Sequence, residues 1–141
     1  MATFLFKTEP AEYSFDDLCR EKRCAWTGVS NNAALSHLRK AVRGDEVLIY
    51  HTGDDKAIVG LAKVVSKPYE DPERPGRTAG DEPRFAVVDL APVRAATSPV
   101  ALSVIKSDPR FKAFPLVTQG RLSVMPVPAG IDAALRALAG L

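Results

Sequence analysis

The chain has 141 residues, a length typical of one domain, and its 46% hydrophobic and 26% charged residues exclude disordered, collagen-like and coiled-coil proteins. Its 19 lysines and arginines against 17 aspartates and glutamates give a net charge of +2, so any nucleic acid has to bind at a local patch. No apolar stretch approaches the roughly 20 residues that cross a bilayer, and the first residues lack signal-peptide features, which predicts a soluble cytoplasmic protein without a membrane partner.

The first third of the chain predicts one strand and two helices. Residues 3–8 are β-branched and aromatic and stop at a Glu-Pro pair, which is typical of a short buried strand. A serine followed by two aspartates is a helix-start signal and predicts a helix over 14–23. Asn31 or Asn32 can cap a second helix, whose apolar face is formed by Ala34, Leu35, Leu38 and Val42.

The rest of the chain predicts a hairpin, a long loop and four further elements. Residues 46–51 and 57–65 are strand-like runs separated by turn formers, so they predict a hairpin. Residues 66–83 are rich in proline, glycine and charge and predict a long exposed loop, of a kind that is often functional. The remaining predicted elements are a strand at 84–90, a short helix at 100–107, a strand at 121–127 and a helix at 131–138.

This order of elements predicts the fold class. Hairpin-connected strands interspersed with short helices favour an α+β arrangement, in which a curved antiparallel sheet or a small barrel packs against flanking helices. The sequence contains no internal repeat. We therefore expect residues 1–141 to form a single domain.

Two cysteines and two histidines limit the metal and catalytic chemistry. They cannot form a disulfide scaffold, and a four-ligand zinc site would need all four of them. Cys19 and Cys24 lack the two-residue gap of zinc knuckles and redox motifs, so we interpret them as small buried apolar residues. No glycine-rich phosphate loop, serine elbow or acidic metal loop is present. The sequence therefore predicts no metal, no cofactor and no catalytic residue.

Trp26 is the only tryptophan and a candidate binding platform. It lies among small and polar residues, which predict a loop, and not on a periodic apolar face. An indole in a loop offers a π-face on which a base can stack, an interaction of about 1–3 kcal/mol in proteins that bind single strands. The alternative is a tryptophan that belongs to the core or to a lid.

The polar end of the first strand carries three candidate binding residues, Lys7, Thr8 and Glu9. Side chains at a strand end can face a barrel mouth from a fixed backbone. Glu9 can accept a hydrogen bond from an exocyclic amine, and Lys7 can meet a phosphate or a carbonyl. The alternative is a solvated strand end. Asn31 can read a base edge, or it can act only as the helix cap.

The end of the first hairpin strand and a later turn carry two further candidates. Tyr50 and His51 alternate along the strand and so face opposite sides of the sheet. We expect His51 to face the rim of a pocket and Tyr50 to face the core. Arg121 follows a glycine in a turn and can bind a phosphate through its guanidinium, or it can be an ordinary surface arginine.

Spaced motifs carry a resemblance to a known family. They occupy residues 4–10, 13–14, 26–31, 34, 38–39, 44–45, 47–51, 58–62 and 120–124. In this order they resemble the EVE domain family of the PUA-like superfamily, over essentially the whole chain. The resemblance implies a PUA-like pseudobarrel with a pocket that, as in the similar YTH readers of methylated RNA, accepts a flipped and modified base, and it brings no catalytic machinery.

Combined with the residues above, the resemblance implies a nucleic-acid-binding site. Its expected members are Lys7, Thr8, Glu9, Trp26, Val29, Ser30, Asn31, His51 and Arg121. The leading hypothesis is a module that binds a modified base, such as 5-methylcytosine, in single-stranded or flipped-out DNA or RNA. The alternatives are a module that binds a protein or a metabolite in the same groove, and a small nucleotide- or RNA-processing enzyme with His51 and Glu9 as an acid/base pair.

Overall fold

Seven strands form one curled sheet in the computed structural model, which describes residues 1–141. The strands are β1 (Thr3–Thr8), β2 (Cys24–Trp26), β3 (Glu46–His51), β4 (Ala57–Val64), β5 (Tyr69–Glu70), β6 (Ala86–Ala101) and β7 (Val124–Pro126). Along the sheet the strand order is β2-β6-β4-β3-β1-β7, and β5 pairs with the start of β6. Only β1 and β3 run parallel.

Five helices flank the sheet. They are α1 (Phe15–Glu21), α2 (Asn32–Arg39), α3 (Leu102–Ser107), α4 (Pro115–Thr118) and α5 (Ala129–Ala139), with a 3₁₀ turn at Pro109–Phe111 between α3 and α4. Of these helices, α1, α2, α3 and α5 pack against strands of the sheet. The predicted α+β class, a curved sheet with flanking helices, is confirmed. The parallel β1–β3 pair is the one departure from the predicted antiparallel sheet.

Local sequence signals explain where the first two helices begin. The Ser14 hydroxyl accepts the N–H of Asp17 at 3.0 Å, and the Asp17 carboxylate accepts the N–H of Ser14 at 2.9 Å. This reciprocal pair satisfies two backbone donors that have no partner inside the helix. The Asn31 side chain accepts the N–H of Ala34 at 3.0 Å, so the predicted cap of α2 is confirmed.

The sheet bends through irregular strand pairing around β4. The register shifts between Ile49 and Tyr50 in the β3–β4 pair and at two points in the β4–β6 pair, and such bulges increase the local twist. Gly60 lies at one of these points. A Cβ there would be 2.5 Å from the Phe15 ring, so only glycine leaves room for α1 to pack on the bent sheet.

The curl brings distant strands together. Trp26 lies on β2, at one end of the strand order, and Phe6 lies on β1, next to the other end. Their ring centroids are 5.8 Å apart. Both residues belong to a cluster of 33 buried apolar side chains. The sheet therefore forms most of a barrel, and the seam between β1 and β2 is closed by aromatic packing and not by backbone hydrogen bonds.

The structure corrects three predicted elements. Trp26 is on a strand and not in a loop, because β2 pairs with β6, with Trp26 opposite Val88. The strand predicted at 84–90 continues as β6 to Ala101, because β4 pairs with its second half. The second helix ends at Arg39, and Val42 is 55% exposed instead of packed on its apolar face.

The predicted loop 66–83 is mostly exposed but held in place. It contains β5 and a bridge between Arg77 and Pro83. Arg77 forms ion pairs with Glu70 and Asp81.

No helix of the protein is long and apolar enough to cross a membrane.

Candidate functional site

A cleft of about 420 Å³ opens at the seam between β1 and β2. Its lining consists of residues 7–9 at the end of β1, residues 12–13 before α1, residues 24–30 on β2 and the following segment, and Ser123 before β7. The volume is within the usual range of about 300–1,000 Å³ for small-molecule sites. Five of the predicted site residues line it together with Trp26, namely Lys7, Thr8, Glu9, Val29 and Ser30.

Aromatic residues form the apolar wall of the cleft. Trp26 is 8% exposed and is tilted by 46° against Phe6. The Tyr13 ring meets the indole edge-on, at 6.0 Å between centroids. Trp26 therefore belongs to the core and to the cleft at once, so the two interpretations of this residue are not exclusive. A planar ligand can stack only on the part of the indole that these neighbours leave free.

The carboxylate of Glu9 is fixed at the cleft. One of its oxygens accepts the N–H of Ala11 at 3.1 Å, and the other accepts the hydroxyl of Thr52 at 3.2 Å. Each carboxylate oxygen can accept a further hydrogen bond. Glu9 can thus accept a hydrogen bond from an amino group of a ligand, and its side chain is already held in one position before the ligand binds. The Thr8 hydroxyl is engaged differently, because it donates to the carbonyl of Tyr13 at 2.6 Å and holds the neighbouring wall.

Lys7 is the only cation that lines the cleft, against two carboxylates, Glu9 and Glu12. Its ammonium donates to the carbonyl of Gly120 at 2.9 Å and lies 5.9 Å from the centre of the Tyr50 ring. Burial lowers the pKa of Lys7 from its usual value, because desolvation disfavours the charged form. With one cation against two carboxylates, the lining of the cleft has no net positive charge.

Tyr13 and Cys24 contribute polar atoms that stay protonated. Burial, followed by the hydrogen bond with Cys24 and the neighbouring charges, raises the pKa of the Tyr13 phenol well above its usual value. The phenol donates to the Glu21 carboxylate at 3.2 Å. Burial also raises the pKa of the Cys24 thiol. Because the thiolate is the reactive form, Cys24 is a poor nucleophile at neutral pH.

The segment 27–30 forms the remaining wall and depends on an arginine that lies far away in the sequence. Arg74, in the loop 66–83, donates to the Ser30 hydroxyl at 3.0 Å and to the Val29 carbonyl at 3.1 Å. Arg74 was not among the predicted site residues. No local pattern indicates it, because its partners are 44 and 45 residues away.

Three predicted site residues, Asn31, His51 and Arg121, lie outside the cleft lining. Asn31 follows the wall segment but uses its side chain to cap α2. Arg121 is exposed, next to the Gly120 carbonyl that holds Lys7. Cys19, which was predicted to be buried, is also exposed, whereas Cys24 is half-buried.

His51 does not face the rim of the cleft, so its expected orientation is corrected. It is buried, and its Nε2 atom accepts the N–H of Phe15 at 3.0 Å. The Nδ1 atom therefore carries the proton and donates to Asp55 at 3.0 Å. The expected difference in exposure between Tyr50 and His51 is absent because both faces of β3 are covered, so both residues are buried. No group of three or more His, Cys, Asp or Glu residues is arranged to hold a metal ion.

The chain is similar to proteins of known structure over its whole length. A family model described as the EVE domain matches residues 2–137. A crystal structure of a Pseudomonas syringae protein is 34% identical with a TM-score of 0.87, over 98% of this chain and 99% of that chain. Human THYN1, solved in complex with DNA containing 5-methylcytosine, is 25% identical with a TM-score of 0.88, over 100% of this chain and 99% of that chain.

A curated relative is longer than this chain. Thymocyte nuclear protein 1 of Gallus gallus is 26% identical over 152 residues, which cover 88% of this chain and 63% of that protein. The chain therefore spans less than two thirds of the length of the chicken protein.

Proposed function

Because the chain belongs to the EVE domain family, we propose that it is a non-catalytic nucleic-acid-binding protein whose cleft holds a single modified base. The observation that carries this proposal is the full-length structural similarity to human THYN1, which was solved with DNA containing 5-methylcytosine. The aromatic cleft at the β1–β2 seam gives the proposal a location in this chain. The base comes from a single strand of DNA or RNA, or is flipped out of a duplex.

The chemistry of the cleft fits a base that carries an amino group. The free part of the Trp26 indole offers a stacking surface. The fixed Glu9 carboxylate can accept a hydrogen bond from the exocyclic amine of cytosine or adenine, whereas the carbonyl of thymine or uracil at that place would set one hydrogen-bond acceptor against another. Arg121 and Lys7 supply cations near the Gly120 side for an adjacent phosphate.

Simple energetics limit how selectivity arises. Flipping a base out of a duplex costs a few kcal/mol and little in a single strand, so single strands bind more tightly. One buried methyl group contributes about 0.8 kcal/mol, roughly a four-fold preference. Larger selectivity requires a hydrogen bond that only the modified base makes, since an unmatched buried polar group costs about 1–3 kcal/mol.

The non-catalytic part of the proposal is supported by the state of His51. An acid/base enzyme that used His51 and Glu9 would need a free imidazole nitrogen near the substrate. Both nitrogens of His51 are occupied, by Phe15 and by Asp55. Glu9 is bound by Ala11 and Thr52 instead.

The first test is a titration of Trp26 fluorescence with short single-stranded oligonucleotides. Five strands differ in one central base, which is cytosine, 5-methylcytosine, 5-hydroxymethylcytosine, adenine or N6-methyladenine. We expect saturable quenching that differs among the bases and weakens with salt. Because Trp26 is the only tryptophan, the signal reports this cleft alone. No response in fluorescence, and none in the anisotropy of labelled strands, would direct attention to a protein or metabolite ligand.

Replacing Glu9 by glutamine is expected to flatten base preference. The amide retains one acceptor oxygen but loses the charge, and its amino group is repelled by a base amine. We expect the affinity ratio between a cytosine strand and a matched thymine strand to fall on the order of five-fold, as expected for one charge-assisted hydrogen bond. Anisotropy titrations of both strands measure this ratio.

Glu12→Gln is the matched control for Glu9→Gln. Glu12 also lines the cleft, but it is exposed and its side chain accepts no hydrogen bond within the protein. Loss of its charge should strengthen the binding of all strands slightly and equally. An equal change of the base ratio in both variants would contradict the role of Glu9.

A further inference from the structure

We propose that Arg74 is a positioning residue for the cleft, so that base selectivity depends on the loop 66–83. The inference rests on the proposed function, because it concerns the same site. Arg74 does not line the cleft. It acts through the segment 27–30, which forms the wall next to Trp26.

The wall segment has almost no other polar attachment. The Ser30 hydroxyl and the Val29 carbonyl each accept a hydrogen bond from Arg74, at 3.0 and 3.1 Å. Outside these two contacts, residues 27–30 make no hydrogen bond to the rest of the protein. Gly28 has a φ of +83° and open space around it. Only the buried side chain of Val29 otherwise anchors the segment.

Arg74 is itself held rigidly. Its Nε atom donates to Asp71, whose residue is 4% exposed, at 3.2 Å. Asp71 is oriented in turn by the N–H of Glu73 at 2.9 Å. The guanidinium carbon lies 4.2 Å from the centre of the Phe85 ring, a stacked arrangement that favours arginine. The loop thus delivers a fixed guanidinium to the wall.

The arrangement requires an arginine and not merely a positive charge. Three separate nitrogens reach an aspartate, a hydroxyl and a carbonyl. A lysine ammonium is a single point with no planar fork, so it cannot reach all three acceptors at once or stack in the same way. Lysine at this position keeps the positive charge but loses hydrogen bonds to Ser30 and Val29. The segment 27–30 then becomes more mobile beside a base that is stacked on Trp26.

The test compares Arg74→Lys with the matched control Arg77→Lys. Arg77 lies in the same loop and pairs with Glu70 and Asp81, but it does not contact the wall. For Arg74→Lys we expect the affinity for the preferred strand among the five oligonucleotides to fall on the order of ten-fold, as expected when charged hydrogen bonds are lost. The affinity for the least preferred strand should fall less, so selectivity decreases.

Two further measurements separate positioning from charge and from folding. The slope of affinity against salt counts phosphate contacts, and we expect it to be unchanged in Arg74→Lys because the charge is kept. Because Arg74→Lys also weakens the contacts with the buried Asp71 and with Phe85, its thermal midpoint should lie below that of Arg77→Lys, so affinities are compared at a temperature at which both variants are folded. Ser30→Ala, which removes one acceptor without touching the loop, should reduce selectivity in the same direction but less.

The outcomes are distinct for the two proposals. If the wild type binds the strands and Arg74→Lys keeps the same affinity and selectivity, the positioning role is overturned and the proposed function is left intact. Equal losses in Arg74→Lys and Arg77→Lys would also overturn it, because they would indicate a general effect of the loop. Absence of wild-type binding to every strand would overturn both.

Discussion

Replacement of Trp26 by alanine is expected to weaken the binding of every single strand about 5- to 150-fold, which corresponds to the 1–3 kcal/mol of one base stacked on an aromatic ring. The effect should be similar for all five oligonucleotides, because every base has a π-face. It is measured by the anisotropy of labelled strands, since the variant has no tryptophan fluorescence. This uniform loss distinguishes Trp26 from Glu9, whose replacement should change the ratio between bases.

The same substitution should also lower the free energy of unfolding. Trp26 is 8% exposed and packs on Phe6 and Tyr13, so alanine leaves a cavity where the seam of the sheet is closed. Loss of a buried aromatic side chain to alanine costs about 3–5 kcal/mol. Binding therefore has to be measured at a temperature at which the variant is folded, as judged by circular dichroism.

Two controls separate the effect on binding from the effect on folding. Trp26→Phe keeps an aromatic ring at the seam and should lose less stability and less affinity than alanine. Phe114→Ala removes a fully buried ring outside the cleft lining, so it should lose stability without losing affinity while folded. If folded Trp26→Ala binds all strands as tightly as the wild type does, the cleft is not the nucleic-acid site.

Local signals were sufficient to predict much of the fold. The strand β1, the hairpin of β3 and β4, and the starts of α1 and α2 depend on alternation, turn formers and capping side chains within a few residues. These signals act through neighbouring backbone groups, so they are visible in a short window of sequence.

Pairing between distant segments was not predictable in this way. Residues 91–101 contain two prolines, which disfavour a strand in a local reading of the sequence. In the structure many of these residues are exposed. They extend as the second half of β6 because β4 supplies partners from Ala57 to Val64. The three residues of β2 are likewise a strand only because β6 lies beside them. Tertiary contacts override weak local preference in such segments.

The candidate site divides along the same line. Residues 7–9 line the cleft and could be predicted from sequence, because the end of a strand is a local feature. Trp26 also lines it and could be predicted because it is the only tryptophan. Arg74 lies in a charged loop that looks like ordinary surface, and its role depends on a fold that brings it to Val29 and Ser30. The feature that distinguishes Arg74 from other surface arginines is its bond to the buried Asp71, three residues earlier, and the burial of Asp71 is not visible from sequence.

Replacement of His51 by alanine is expected to lower the free energy of unfolding by about 2–4 kcal/mol, which combines an unsatisfied backbone donor with a small cavity. The N–H of Phe15, at the start of α1, would lose its acceptor in a buried position. Urea unfolding measures this change. His37→Ala is the matched control, since His37 is half-buried on α2 and its side chain has no hydrogen bond, so it should change stability by less than about 0.5 kcal/mol.

The His51 variant also decides between a structural and a catalytic histidine. A base in an enzyme can be removed with little loss of stability and a large loss of turnover, because its ring nitrogen must be free to take a proton. In this protein Nε2 is committed to Phe15 and Nδ1 to Asp55. We therefore expect a less stable protein that still binds single strands while it is folded. Wild-type stability in His51→Ala, together with loss of turnover of a nucleoside or short oligonucleotide, would instead favour an enzyme that uses His51.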